Sequence, residues 1–277
     1  MTELANEPMS VAAGSLADTF AAARAEGRAV LVGYLPAGFP SYQGAVDALT
    51  AMVRAGVDVV EVGLPYSDPL MDGPTIQAAV DRALAGGVRI VDVLRTVRAV
   101  AATGVPVLVM TYWNPVEQYG VDRFAADLAA AGGAGAITPD LTPEEAGGWL
   151  AATAEHGLDP VFLVAPSSTD ARIARIAGLS GGFVYAASTM GVTGARDRVS
   201  GRAPDLVARV RAATGTPVAV GLGVGSGAQA AEVAAYADGV IVGSAFVRRL
   251  LDAPDEPTGI AAVAELATEL ATGVRRR

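Results

Sequence analysis

Val57-Asp58-Val59-Val60-Glu61-Val62, closed by Gly63, is almost continuously β-branched, with one acidic side chain near its end. An apolar run of this length, stopped by glycine, fits a parallel strand buried on both faces. Seven more runs of this kind lie at 29–35, 105–110, 134–138, 159–164, 182–187, 217–221 and 239–242. Ala-rich segments separate them and carry helix-start signals. These are a capping box from Thr142 to Glu145, Thr169 before Asp170, Pro204 at a first helical position, and Ser226 after a glycine bend. Gly56, Gly104 and Gly157 mark helix ends.

Eight strand–helix units spaced by about 30 residues predict an α/β fold of the (β/α)8 TIM-barrel type, for which roughly 250 residues are typical. A doubly wound open sheet would satisfy the same alternation. The count of eight favours closure, as do chemistry-bearing loops after several runs. Three segments are extra: an N-terminal helix around 15–26, a second helix after the second run, and a C-terminal helix over 259–272. No Ser/Pro-rich linker divides the chain, so the expectation is a flexible N-terminus over 1–14 and a single TIM-barrel domain over 15–277.

Composition removes several chemistries. All 20 basic residues are arginine, there is no lysine or cysteine, and His156 is the single histidine. A Schiff-base lysine, a thiolate nucleophile, a Walker-type lysine and a multi-histidine metal site are thereby excluded. Proton chemistry falls to carboxylates, hydroxyls and backbone dipoles. The hydrophobic fraction of 52% against 18% charged excludes a disordered chain. A net charge of −9 with scattered arginines argues against a nucleic-acid surface, and Arg275 to Arg277 read as a frayed terminus. No apolar run reaches the roughly 18 to 20 residues of a membrane span. Met1 to Ser10 carry two glutamates and no basic residue, so they do not read as a secretory signal, and cytoplasm is the expected compartment.

Reactive groups of such barrels sit at the C-terminal strand ends. Glu61 shares a face with Val57 and Val59 and should project into the mouth, although a carboxylate satisfied by local backbone would look the same. The loop that follows holds Asp68 and Asp72 among stiffening prolines; Asp72 before Gly73 equally suits a turn. Glycines cluster after three later runs: Gly191 and Gly194 after the sixth, Gly221, Gly223 and Gly225 after the seventh, and Gly243-Ser244 after the eighth. One such pair is weak evidence, but three on consecutive strand ends let backbone N–H groups approach an anion without any lysine.

Glu61-Val-Gly-Leu-Pro-Tyr-Ser-Asp-Pro-Leu-Met-Asp-Gly-Pro74 resembles the signature of the tryptophan synthase α subunit family. The likeness continues, in order, through Tyr112-Trp-Asn-Pro115, Thr138-Pro-Asp-Leu141, Ser188-Thr-Met-Gly-Val-Thr-Gly194, Gly221-Leu-Gly223 and Gly243-Ser244. The resemblance implies a (β/α)8 barrel that cleaves indole-3-glycerol phosphate to indole and glyceraldehyde 3-phosphate by a retro-aldol reaction. It implies Glu61 and Asp72 as the acid/base pair and Tyr185 beside Glu61. Thr193 would lie on a loop closing near Asp72, and Gly194, Gly223, Gly243 and Ser244 would bind the phosphate. It further implies no cofactor in this chain and a β-subunit partner in an αββα heterotetramer, whose pyridoxal phosphate joins indole to serine. Where the family usually reads Gly-Asp-Pro, this chain has Gly38-Phe39-Pro40.

The implied chemistry suits the residues. Glu61, on an apolar strand, should be neutral part of the time and move protons at indole C3 and the side-chain hydroxyl, while an ionised Asp72 should accept the indole N–H. Tyr34, Met110 and Ile137, near strand ends, would form an apolar wall for the indole if they are not simply core. His156 fits a helix C-terminus, and Trp113 and Trp149 fit packing. A free-standing indole-releasing lyase would use the same site without a partner. A non-catalytic barrel binding a phosphorylated metabolite would keep the glycines but have no use for both carboxylates.

Overall fold

A computed structural model describes residues 14–187, 202–221 and 223–275; of the segment expected to be loose, 1–14, only Gly14 falls among them. The strands are β1 (Val30–Pro36), β2 (Val59–Gly63), β3 (Val107–Met110), β4 (Gly135–Ile137), β5 (Asp159–Val161), β6 (Leu163–Val164), β7 (Val184–Ala187), β8 (Val218–Gly221) and β9 (Gly239–Val242). Every pairing is parallel and the order is β5-β4-β3-β2-β1-β9-β8-β7-β6. The two ends of that order are halves of one run. Phe162 lies between them, and its carbonyl accepts the Tyr185 N–H while β5 pairs with β4. The eight expected units are therefore present as nine strands in a closed ring, with the fifth run split.

The first half carries α1 (Leu16–Ala25), α2 (Tyr42–Arg54), α3 (Pro74–Ala85), α4 (Ile90–Ala101), α5 (Trp113–Tyr119) and α6 (Val121–Ala130). The second carries α7 (Gly147–His156), α8 (Asp170–Leu179), α9 (Ala203–Ala213), α10 (Gly227–Ala234), α11 (Ser244–Asp252) and α12 (Glu256–Gly273). Thr169 and Ser226 cap α8 and α10 as their positions predict, accepting from the Arg172 and Gln229 N–H groups. The Thr142 capping box behaves differently. Its hydroxyl donates to the Glu145 carboxylate at 2.9 Å within a turn, and α7 begins only at Gly147. The extra helices after β2 and at the two ends are present, and β3 is also followed by two helices rather than one.

Inward-facing Val30, Val32, Val59, Leu108, Ile137, Val161, Ala219 and Ile241 form the barrel interior, and the alternate residues pack beneath the helices. α1 closes the lower end. Leu16, Phe20 and Ala23 are buried on that interior, and the Phe20 and Phe183 rings lie 5.5 Å apart. Gly182 leaves no room for a methyl group against Leu16, so its missing side chain is what admits the helix. Phe20→Ala is expected to cost roughly 3–5 kcal/mol by opening this floor, read as a drop in the denaturant midpoint. Phe39, in place of the family's usual aspartate, is 1% exposed, with the Arg82 guanidinium 5.9 Å from its ring. It fastens the loop after β1 onto α3 from inside.

Candidate active site

Glu61 follows Val59 by two residues on β2 and so faces the barrel interior, with Tyr34 and Leu108 as its register partners on β1 and β3. It is 2% exposed, and its Oε1 has no hydrogen-bond partner. Burial alone pushes its carboxyl up to about 8. A buried carboxyl oxygen without a partner is costly, and a group of this kind marks a site shaped for something other than stability.

Two tyrosines flank it. A methyl group built on Gly63 would overlap the Tyr34 hydroxyl, and one on Gly221 would overlap the Tyr185 hydroxyl, so both glycines exist to make room for phenol rings. Burial raises both phenols above their ordinary value. Next to burial, negative charge on Asp72 and then Glu61 acts on Tyr34, and charge on Glu61 acts on Tyr185. Tyr34 thus lies in the field of both acids. Its other end lies near Gly243, where an added methyl would sit 3.3 Å from Cδ1. The span from the Glu61 strand to the Gly243 turn is therefore one tyrosine side chain.

Asp72 stands just ahead of α3 in the loop after β2. The Tyr112 hydroxyl donates to its Oδ1 at 2.8 Å and accepts the Met71 N–H at 3.1 Å. Burial raises the Asp72 carboxyl, and the Tyr112 hydrogen bond pulls it back down. The same loop carries Leu70, which is 72% exposed. Tyr112 was not among the expected site residues. A phenol two residues beyond the end of β3 was the available signal.

The glycine rim narrows once partners are counted. Gly225 donates its N–H to Gln229 and Gly227 to Glu269, at 2.8 and 2.6 Å, and the Ser226 hydroxyl caps α10. The Gly225 and Gly227 N–H groups are therefore taken. Gly243 begins α11 with no side-chain cap, and Ser244, the first helical residue, is 6% exposed. Gly223, at φ 69°, is the neighbouring turn glycine after β8. The glycine turn at Gly223 and the first turn of α11 therefore lie side by side, after the neighbouring strands β8 and β9, of which β9 adjoins β1. Thr193 and Gly194 lie outside the described residues.

Met110 ends β3 half-buried against the interior, and Ile137 on β4 is fully buried there. His156 closes α7 before Gly157 at φ 65°, and Trp113 and Trp149 meet edge to face. Among the described residues no three His, Asp or Glu side chains gather as a metal site would need.

The family model described as "Tryptophan synthase alpha chain" matches residues 20–275. The tryptophan synthase alpha chain of Salinispora tropica is 66% identical over 256 residues, covering 92% of this chain and 96% of that one. That of Streptomyces coelicolor is 62% identical over 261 residues, covering 94% and 96%. A chain from the structure of Mycobacterium tuberculosis tryptophan synthase superposes with a TM-score of 0.89 at 58% identity, covering 95% and 99%. The tryptophan synthase subunit alpha of Legionella pneumophila gives 0.85 at 33%, covering 94% and 97%. A barrel with Glu61 on β2, Asp72 in the loop that follows and an uncapped helix after β9, matched over this length, belongs to the tryptophan synthase alpha chain family.

Proposed function

We propose that the chain, a lyase by family, cleaves indole-3-glycerol phosphate to indole and glyceraldehyde 3-phosphate with Glu61 and Asp72 as its acid/base pair. The observation that carries these roles is the Glu61 carboxyl, wholly buried at the mouth with one oxygen unpartnered. Neutral at pH 7, it delivers a proton to indole C3. The hydroxyl on the adjoining carbon then loses its proton to the resulting carboxylate, the C3–carbon bond breaks, and its electron pair returns to the ring. Asp72 accepts the indole N–H and balances the charge that builds on nitrogen, and the Tyr112 hydrogen bond favours its ionised form. Met110, Ile137 and the Tyr34 ring line the indole side, with Tyr185 beside Glu61.

The phosphate sits at Gly223, Gly243 and Ser244, where backbone N–H groups at an uncapped helix start supply the attraction. Family resemblance adds Thr193 and Gly194 to this set. The partner is a β subunit in an αββα assembly. The exposed Leu70 supports a contact through the loop between β2 and α3. Pyridoxal phosphate is that partner's cofactor, and the setting is cytoplasmic. The test is indole release from indole-3-glycerol phosphate, by the chain alone and with β subunit added. Slow release that rises on addition is the expected result. Unchanged release would leave a free-standing lyase, and none in either case overturns the reaction.

A further inference from the structure

We infer that Asp140, in the loop after β4, is a positioning residue for Asp72, acting through the first turn of α5; this rests on the role of Asp72 proposed above. Tyr112 precedes α5 in the extended conformation of a helix cap but has no side chain able to bond the helix's first N–H groups. Asp140 fills that role from another loop. Both its carboxylate oxygens accept the Trp113 N–H, at 2.9 and 3.1 Å, and the Trp113 ring is held edge to face on Trp149 of α7.

The turn anchored in this way grips the catalytic loop at several points. The Tyr112 hydroxyl holds the Met71 N–H and the Asp72 carboxylate, its ring lies 5.7 Å from that of Tyr66, and the Asn114 amide donates to the Tyr66 hydroxyl at 3.0 Å. Asp72 makes no hydrogen bond to Asp140 itself. Its direction is set by Tyr112, and the place of Tyr112 is set by the Trp113 N–H that Asp140 secures. Without Asp140 that N–H turns to water and the phenol loses its fixed height above the loop.

Indole release by the full chain, measured for the single variants Asp140→Ala and Tyr112→Phe and for the double variant, tests this. Asp140→Ala is expected to lower kcat by on the order of ten- to a hundredfold, as a misplacement of about 1 Å does. KM should change by less than about threefold, because the phosphate site is untouched. The acid limb of kcat should move to higher pH, since the Tyr112 hydrogen bond is what lowers the Asp72 carboxyl; among the described residues Tyr34 of β1, which feels the Asp72 charge, and Glu61 of β2, which shares that phenol, stay in place. In the Tyr112→Phe background the same change should cost less than about threefold more, because the two residues act in series. Asp140→Asn, which keeps a carbonyl acceptor, should recover most of the turnover.

Fully multiplicative costs in the double variant, an unmoved acid limb, or Asp140→Asn no better than Asp140→Ala would each overturn the positioning role. If Asp140→Ala does not fold, Asp140→Ser, too short to reach Trp113, replaces it in the same cycle with the same outcomes. Near-native turnover of Asp72→Asn would instead remove Asp72 from the reaction, which separates failure of the site from failure of the relay.

Discussion

Glu61→Gln is expected to abolish indole release, lowering kcat by on the order of 10² to 10⁴, the usual worth of a positioned acid/base group. Glutamine keeps the shape of the side chain on β2 but has no acidic proton to give, and among the described residues no other carboxylate is buried in the interior. The phosphorylated ligand should still bind, because Gly243 and Ser244 lie where β9 turns into α11, away from β2. Turnover by the native chain should fall as pH rises through about 8, where Glu61 loses the proton it delivers. Stability follows with the same sign. The native state holds this proton more tightly than the unfolded chain, so the contribution is full below the ordinary carboxyl value of 4.5 and is lost as pH rises past about 8. Melting curves of Glu61→Gln should lack that decline. Substantial turnover in the variant would exclude Glu61 from the mechanism.

For Gly243→Asp the Michaelis constant for the phosphorylated substrate should rise by on the order of 10² to 10³, because a fixed carboxylate would face the phosphate across a site that offers it only main-chain dipoles. Backbone strain plays no part, since φ at Gly243 is −124°. Space does: a methyl group there would lie 3.3 Å from the Tyr34 ring. Gly243→Ala therefore serves as the control, and the difference between the two variants isolates charge from crowding. An unchanged constant in the aspartate variant would place the anion elsewhere.

The barrel was legible because its strands are written as uninterrupted apolar runs, and Glu61 stood out as the one acid near the end of such a run. The glycine turns were legible as a group, yet their individual purposes were not. Gly63 and Gly221 yield space to phenols from neighbouring strands, a long-range fact that no local pattern holds. Pairing of Tyr112 with Asp72 spans 40 residues and depends on how α5 is pinned by a third loop. Thr142 and Glu145 satisfied the local rule for a helix start, but Pro143 and the Gly147-Gly148 pair leave their bond closing a turn. The split of the fifth run at Phe162 came from pairing demands on its two sides, which only the closed ring imposes.

The stopper that α1 forms has a bearing on traffic. With Phe20 and Leu16 wedged under the strands, the described residues shut the barrel from below, so the doorway for substrate, aldehyde and indole is at the end where Glu61 stands. An uncharged bicycle freed there would escape into bulk solvent unless another surface were pressed over the doorway, so its delivery depends on the rim being roofed.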